Sequence, residues 1–140
     1  MEHASSPGRS LRPIFVIGAC ALSLTAALAL TDIYRGRSER QATAIAMTKG
    51  DPARAPVIFR RYGCSGCHTI PGIHGADGKV GGDLSGLREQ VYIAGVLNNS
   101  ADNLVGWIVA PQAYSSKTAM PATGISENEA RDLAAYLYAR

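Results

Sequence analysis

The chain opens with a long apolar stretch and then changes to a sequence in which apolar residues come in short groups. Residues 13–30 (PIFVIGACALSLTAALAL) carry no charge and contain one serine and one threonine. Eighteen helical residues extend about 27 Å, close to the hydrocarbon thickness of a thin bilayer. Residues 31–34 can complete the span. We therefore predict one transmembrane helix at residues 13–34, after a cytoplasmic tail at residues 1–12.

A cleaved secretory signal is the alternative interpretation of this stretch. The apolar core of such a signal is about 7–15 residues long, shorter than the run found here. A small-x-small site at residues 27–29 leaves cleavage open. A lipoprotein-type site at residues 17–20 has only a few apolar residues before Cys20, so that hypothesis is poor. The length of the run favours an uncleaved anchor.

The segment after the anchor is polar and charged. Residues 35–50 show little apolar periodicity and predict a linker that leads into a folded domain at residues 51–140, with a helix near the membrane as an alternative for its first part. Asp51-Pro52 is a helix-start signal, but Pro56 would interrupt a helix that began there. The first helix of the domain is therefore expected to begin at one of these two places and to run to Tyr62.

Residues 69–86 (TIPGIHGADGKVGGDLSG) are rich in glycine and nearly devoid of helix or strand signals. Such a loop has no apolar core of its own and needs something to wrap around. A large apolar cofactor would let about 90 residues with short helices bury enough surface to fold.

Two or three short helices are predicted after this loop. Residues 88–97 are the first candidate. Ser100 is the predicted N-cap of the second, which Pro111 ends. One face of this second helix is apolar, through Leu104, Trp107 and Ile108.

The last helix has the clearest pattern in the chain. Ser126 and Glu129 form a predicted capping box, and Ile125 can pack back on the helix as a staple. Apolar residues then recur at i, i+3, i+4 and i+7, which is typical of a helix with one buried face. They are Ala130, Leu133, Ala134 and Leu137.

Residues 64–68, Cys-Ser-Gly-Cys-His, carry the chemistry. C-x-x-C-H is the pattern of covalent c-type haem attachment, in which two thiols add to the two vinyl groups and the adjacent histidine ligates the iron. Half a zinc site, a thioredoxin-like pair and a structural disulfide are the alternatives. The only other cysteine, Cys20, lies in the apolar run, and no βαβ pattern surrounds the motif. Haem attachment is the favoured interpretation.

The charge distribution argues against nucleic acid as a partner. The net charge of +3 lies mostly near the anchor, because residues 45–140 hold nine Lys and Arg against eight Asp and Glu. The arginines at 35, 37 and 40 are expected to lie near lipid headgroups. Charge alone does not orient the anchor. Haem attachment resembles a reaction that takes place outside the bacterial cytoplasm, so the haem domain is expected in the periplasm.

The order of these parts resembles a class I cytochrome c over residues 50–140: a helix, C-x-x-C-H, a glycine-rich loop, and Met120-Pro121 before a final helix. The resemblance implies an all-α fold around one covalently bound haem c. It assigns thioether bonds to Cys64 and Cys67, with His68 and Met120 as the iron ligands.

Further positions match the family in part. Residues 81–87 (GGDLSGL) resemble its Gly-Pro-x-Leu-x-Gly-Leu stretch, with Leu84 against the haem. Here Gly82 replaces the proline whose carbonyl accepts a hydrogen bond from the proximal histidine. Trp107 resembles the aromatic residue near a haem propionate. Residues 92–140 are similar to the cytochrome c modules of haem-copper oxidases.

This resemblance implies an electron carrier, or an electron-transfer subunit of a larger redox complex, and not an enzyme. Its expected partners are membrane-bound redox complexes such as a terminal oxidase or a dehydrogenase. If both axial positions are taken by protein, only outer-sphere electron transfer remains. A haem-based gas sensor or a small peroxidase would need an open distal position. Met120 could be ordinary core filling, and His74, six residues after His68, is expected to be a surface histidine.

Overall fold

The computed structural model describes residues 12–140, with side chains from Phe15 onward. The tail predicted at residues 1–12 therefore lies outside the described residues, except for Arg12, where the first helix begins. The chain divides into two compact units, one ending at Gly36 and the other covering Arg37–Arg140.

Helix α1 spans Arg12–Thr48 and contains the predicted anchor. Its segment Phe15–Thr48 includes a window with a mean hydropathy of 1.9, so it is long and apolar enough to cross a membrane. Its first half exposes large apolar side chains, among them Phe15, Ile17 and Leu22.

The segment predicted as a linker is helical well beyond the part near the membrane where a helix was considered, because α1 continues through it to Thr48. Ala44 and Thr48 are buried, and the Arg131 guanidinium donates a hydrogen bond to the Thr48 carbonyl (3.1 Å). Lys49, at φ 60°, ends the helix. The Asp51 N–H then donates to the Asp132 carboxylate (2.7 Å). The polar composition of this segment hid a helix whose last turn belongs to the folded domain.

Three short helices form the body of the second unit. They are α2 at Ala55–Arg61, α3 at Ala101–Val109 and α5 at Glu127–Tyr138. A further helix of four residues, α4, spans Pro111–Tyr114 between α3 and α5. Helices α2 and α3 both pack against α5. At the α2–α5 contact, the rings of Phe59 and Tyr136 meet edge to face at 5.6 Å.

The predicted caps are present. The Ser100 side chain accepts a hydrogen bond from the Asn103 N–H at the start of α3. Ser126 and Glu129 form a complete capping box at the start of α5. The predicted apolar face of α5 is buried, and so is Ile125. Helix α2 begins nearer to Pro56 than to Asp51, whose carboxylate instead accepts the Ala53 N–H.

The helix predicted at residues 88–97 is wrong. A 3-10 turn at Leu87–Glu89 is followed by strand β1 at Tyr92–Ile93 and antiparallel strand β2 at Leu97–Asn98. Ala94 and Gly95 both have positive φ, 50° and 73°, which closes a tight hairpin turn. The aromatic and β-branched residues of this segment suit the hairpin better than a helix.

Candidate haem site

The C-x-x-C-H segment forms one tight turn. Gly63 takes the left-handed conformation (φ 69°) and ends α2, and a 3-10 helix follows at Cys64–Gly66. The Cys67 and His68 N–H groups both donate to the Cys64 carbonyl, at 3.2 and 3.0 Å. Because the turn closes on itself, both thiols and the His68 ring reach the same cavity.

The two thiols are free, and burial raises the pKa of the Cys64 thiol. Both thiols are therefore available to a cofactor in this arrangement. A zinc site would need further ligands nearby. Within residues 12–140, no group of three or more His, Cys, Asp and Glu side chains is placed to hold a metal ion.

The His68 ring is fixed by the glycine-rich loop. Its Nδ1 lies 2.7 Å from the Gly82 carbonyl oxygen. A carbonyl can only accept, so Nδ1 carries the proton, and Nε2 keeps the lone pair that a metal ligand needs. The resemblance of residues 81–87 to the cytochrome c loop placed this acceptor at Gly82, where that family has a proline. The backbone carbonyl makes the contact without the proline ring.

Gly81 gives the ring its space. A Cβ atom at this position would lie 2.7 Å from Nδ1 and 2.8 Å from Nε2 of His68, which is closer than real side chains approach. At Gly82, by contrast, a Cβ would meet nothing within 4 Å. The loop is tied down on both sides of the ring, because the Gly81 N–H donates to the Cys67 carbonyl (2.8 Å) and the Leu84 N–H to the Thr69 carbonyl (2.9 Å).

A cavity of about 410 Å³ lies next to this ring. All six residues assigned to the cofactor from the sequence line it: Cys64, Cys67, His68, Leu84, Trp107 and Met120. His74 does not, and its side chain is exposed as expected. Trp107 is buried, with 8% of its surface accessible, so it also belongs to the core.

The cavity also has an apolar wall that the sequence identified only as core. The α5 stripe supplies Leu133 and Leu137, while α3 adds Leu104 and Ile108. Helical periodicity could show that these faces are buried, but not that a cofactor would cover them. Ile93, from the hairpin that was predicted as a helix, is a further wall residue.

Met120 enters the cavity from the irregular segment after α4. Its N–H donates to Thr118 Oγ1 (3.2 Å), and its carbonyl accepts a hydrogen bond from Gln112 Nε2 (2.7 Å). The side chain is partly buried and packs against the core. The thioether and the imidazole of His68 thus line one space.

Tyr62, which also lines the cavity, joins α2 to α5 through Glu129. The Tyr62 hydroxyl donates to Glu129 Oε2 (2.8 Å), and Arg61 Nη1 lies 2.7 Å from Oε1. The hydrogen bond to the carboxylate raises the pKa of Tyr62, and hydrogen bonds from Tyr62 and Ser126 lower the pKa of Glu129. The Glu129 carboxylate therefore takes part both in the cap of α5 and in the hydrogen bond from Tyr62, which precedes the attachment turn.

The residues present fit a haem. The cavity is largely apolar, as a porphyrin face requires, and a glycine stands where a side chain would displace the imidazole. Two free thiols lie at its edge, and nitrogen and thioether donors are available for iron.

Comparisons with known proteins agree with this fit. The model of the cytochrome c family matches residues 52–139. Residues of this chain are 36% identical, over 81 positions, to cytochrome c oxidase subunit 2 of Alkalihalophilus pseudofirmus; the match covers 57% of this chain and 23% of that protein. The chain therefore spans less than a quarter of the length of this relative. No solved structure matches.

The family match covers more than half of the chain and includes the attachment turn, the glycine-rich loop and the methionine segment. That family carries haem c with iron and transfers electrons. The mostly helical fold and the cavity agree with the match, and the chain belongs to the cytochrome c family.

Proposed function

We propose that this chain is a mono-haem c-type cytochrome that transfers single electrons between membrane-associated respiratory partners. Cys64 and Cys67 hold the haem through thioether bonds, and His68 and Met120 are its axial ligands. The observation that supports the proposal best is that His68 and Met120 line one cavity and that hydrogen bonds fix both segments.

When bound, the haem iron supplies the change between the ferrous and ferric states. The chain's own residues determine how easily that change occurs. The hydrogen bond to the Gly82 carbonyl orients His68 and makes its ring more electron-donating. The Met120 thioether is a soft ligand that favours the ferrous state and raises the reduction potential. The apolar wall disfavours the extra positive charge of the ferric state.

Two protein ligands leave no iron position for a substrate, so electrons would pass through the exposed cofactor edge. The Met120→Ala variant tests this. We expect a lower reduction potential, where each 59 mV is a tenfold change for one electron, and rapid carbon monoxide binding to the reduced protein. Met47→Ala is the matched control, because Met47 is a half-exposed methionine on α1. If the native protein already binds carbon monoxide rapidly, Met120 is only packing and the gas-sensor hypothesis replaces this one.

We place the haem domain at the periplasmic face of the bacterial cytoplasmic membrane, with residues 13–34 of α1 as an uncleaved single-pass anchor. The apolar helix and the likeness to an oxidase subunit support a membrane-bound oxidase as the electron acceptor. Intact mass of the membrane-extracted protein tests the anchor, since a species that lacks residues 1–29 would identify a cleaved signal. Co-purification from solubilised membranes, with identification of the associated subunits, tests the acceptor and would equally detect a dehydrogenase.

A further inference from the structure

The segment that carries Met120 has little regular structure of its own. Between the end of α4 at Tyr114 and the cap at Ser126, the described backbone forms neither helix nor strand. Both main-chain polar groups of Met120 are instead satisfied by side chains, the N–H by Thr118 and the carbonyl by Gln112. These two contacts determine where the Met120 backbone lies.

The two contacts differ in what they connect. Thr118 lies two residues away, within the same irregular segment, so it shapes the segment without attaching it to the rest of the fold. Gln112 lies eight residues away on α4. Its bond is therefore a connection from a helix to the ligand-bearing residue.

Helix α4 is itself firmly placed. Pro111, its first residue, is fully buried. Tyr114, its last residue, packs so closely on α3 that a Cβ at Gly106 would lie 3.0 Å from the Tyr114 ring carbon Cζ. A side chain that projects from α4 is consequently a fixed point against which the Met120 segment can be held.

Pro121 makes this contact more consequential. The residue before a proline is confined to extended conformations, so the Met120 backbone has few ways to relax around a lost contact. Gln112 itself is exposed and contributes little to the core. Its main effect should therefore fall on the position of Met120 and not on the stability of the whole domain.

The geometry points to Gln112 as a positioning residue that keeps the Met120 thioether on the haem iron. The inference rests on the proposed role of Met120 as the distal ligand. In this arrangement Gln112 touches neither the haem nor the iron. It lowers the fraction of time in which the Met120 segment swings away and exposes the sixth position.

The test is carbon monoxide binding to the reduced, full-length holoprotein. Carbon monoxide can bind only after the thioether leaves, so the rate reports how often the segment opens. Gln112→Ala, and Gln112→Glu, which keeps the shape but removes the donor, should each bind about fivefold faster, the factor that one hydrogen bond of ordinary net strength supplies. Gln112→Arg restores a donor and should return the rate towards the native value. Gln41→Ala, at an exposed glutamine of α1, should leave it unchanged.

The thermal midpoint of each holoprotein separates positioning from general destabilisation. The loss of one hydrogen bond, about 1 kcal/mol, lowers the midpoint of a domain of this size by about 4–8 °C, so we expect a fall no larger than this while the carbon monoxide rates rise about fivefold. Native rates in Gln112→Ala and Gln112→Glu would overturn the inference. So would faster rates accompanied by a larger fall in midpoint that Gln112→Arg does not reverse.

The failure of this inference is distinguishable from the failure of the proposed function. If Met120→Ala opens the site and the Gln112 variants do not, only the positioning role is wrong. If the native protein binds carbon monoxide as rapidly as Met120→Ala, the distal ligand itself is wrong, and Gln112 has nothing to position.

Discussion

The imidazole ring of His68 occupies the space in which a side chain at Gly81 would lie. The missing Cβ would approach Nδ1 to 2.7 Å, while the same atom at the neighbouring Gly82 would meet nothing within 4 Å. The two adjacent glycines therefore act on the ring in different ways. Gly81 makes room for the ring by lacking a side chain, whereas Gly82 contacts it through a backbone carbonyl that any residue would supply.

This contrast gives a matched pair of substitutions. Gly81→Ala should displace the ring or the loop, at a cost of about 1–3 kcal/mol in the free energy of unfolding, the usual range for overpacking. The yield of low-spin holoprotein should fall with it. Gly82→Ala should leave the free energy of unfolding and the yield of low-spin holoprotein nearly native. The absorption spectrum and denaturant unfolding of the two variants measure the effect, and equal behaviour would show that the close approach does not constrain the ring.

The Glu129 carboxylate predicts an acid-dependent loss of stability. Its pKa is lowered in the folded protein, chiefly by the hydrogen bond from Tyr62. The stability it contributes is therefore fully present above its unfolded value of about 4.5 and is lost as the pH falls through the lower folded value. Glu129→Gln should be less stable than the native protein at neutral pH, and the gap should close as the pH falls below 4.5.

Denaturant unfolding of the holoprotein at a series of pH values checks this dependence. Tyr62→Phe, which removes the main donor, should reproduce part of the effect. Glu39→Gln, at an exposed carboxylate of α1, should run parallel to the native curve throughout. A gap between Glu129→Gln and the native protein that is independent of pH would contradict the prediction.

Tyr138 predicts the opposite dependence at alkaline pH. Burial raises its pKa to about 12, and its hydroxyl donates to the side chain of Asn99. The folded state favours the neutral phenol. The stability that Tyr138 contributes is therefore complete below the unfolded value of about 10 and decreases as the pH rises towards 12.

Replacing Tyr138 with phenylalanine should flatten the stability curve between pH 10 and 12, even though the variant loses a hydrogen bond at neutral pH. Tyr92→Phe, at a half-exposed tyrosine, is the control and should retain the native slope. The free energy of unfolding, followed by far-ultraviolet circular dichroism, gives the slope directly. An unchanged slope in Tyr138→Phe would assign the alkaline loss to another group.

The end of α1 predicts where the domain can be truncated. A chain that starts at Arg37, produced with a cleavable export signal, retains the buried Ala44 and Thr48 and should give a soluble holoprotein with the native spectrum. A chain that starts at Asp51 loses both residues and the Arg131 contact, and should be less stable by about 1–3 kcal/mol. Thermal midpoints of the two holoproteins compare them. Equal midpoints would mean that residues 37–50 are only a linker.

Local signals in the sequence were sufficient for much of this molecule. The capping box at Ser126 and the attachment turn at Cys64 depend on residues at most four positions apart, so their patterns determine their structures. The contact between His68 and the Gly82 carbonyl could also be predicted, because the resemblance aligned the loop with a known acceptor position.

The features that sequence reasoning missed depend on the folded chain. The turn of the hairpin at residues 92–98 requires a positive φ at Ala94, although alanine by itself prefers a helix. The charged residues at 35–40 hid the continuation of α1, and tertiary contacts with α5 account for the burial of Thr48. The Gln112–Met120 contact joins residues eight apart across an irregular segment, and no short pattern encodes it.

The cavity of about 410 Å³ makes the stability of the domain depend on what fills it. The cavity opens to solvent, so without an occupant its largely apolar wall is in contact with water, which is unfavourable. If haem c is the occupant, as proposed above, its binding covers this wall and stabilises the packing of α2, α3 and α5. Protein made without a supply of haem is then expected to be less stable and more sensitive to proteases than the holoprotein.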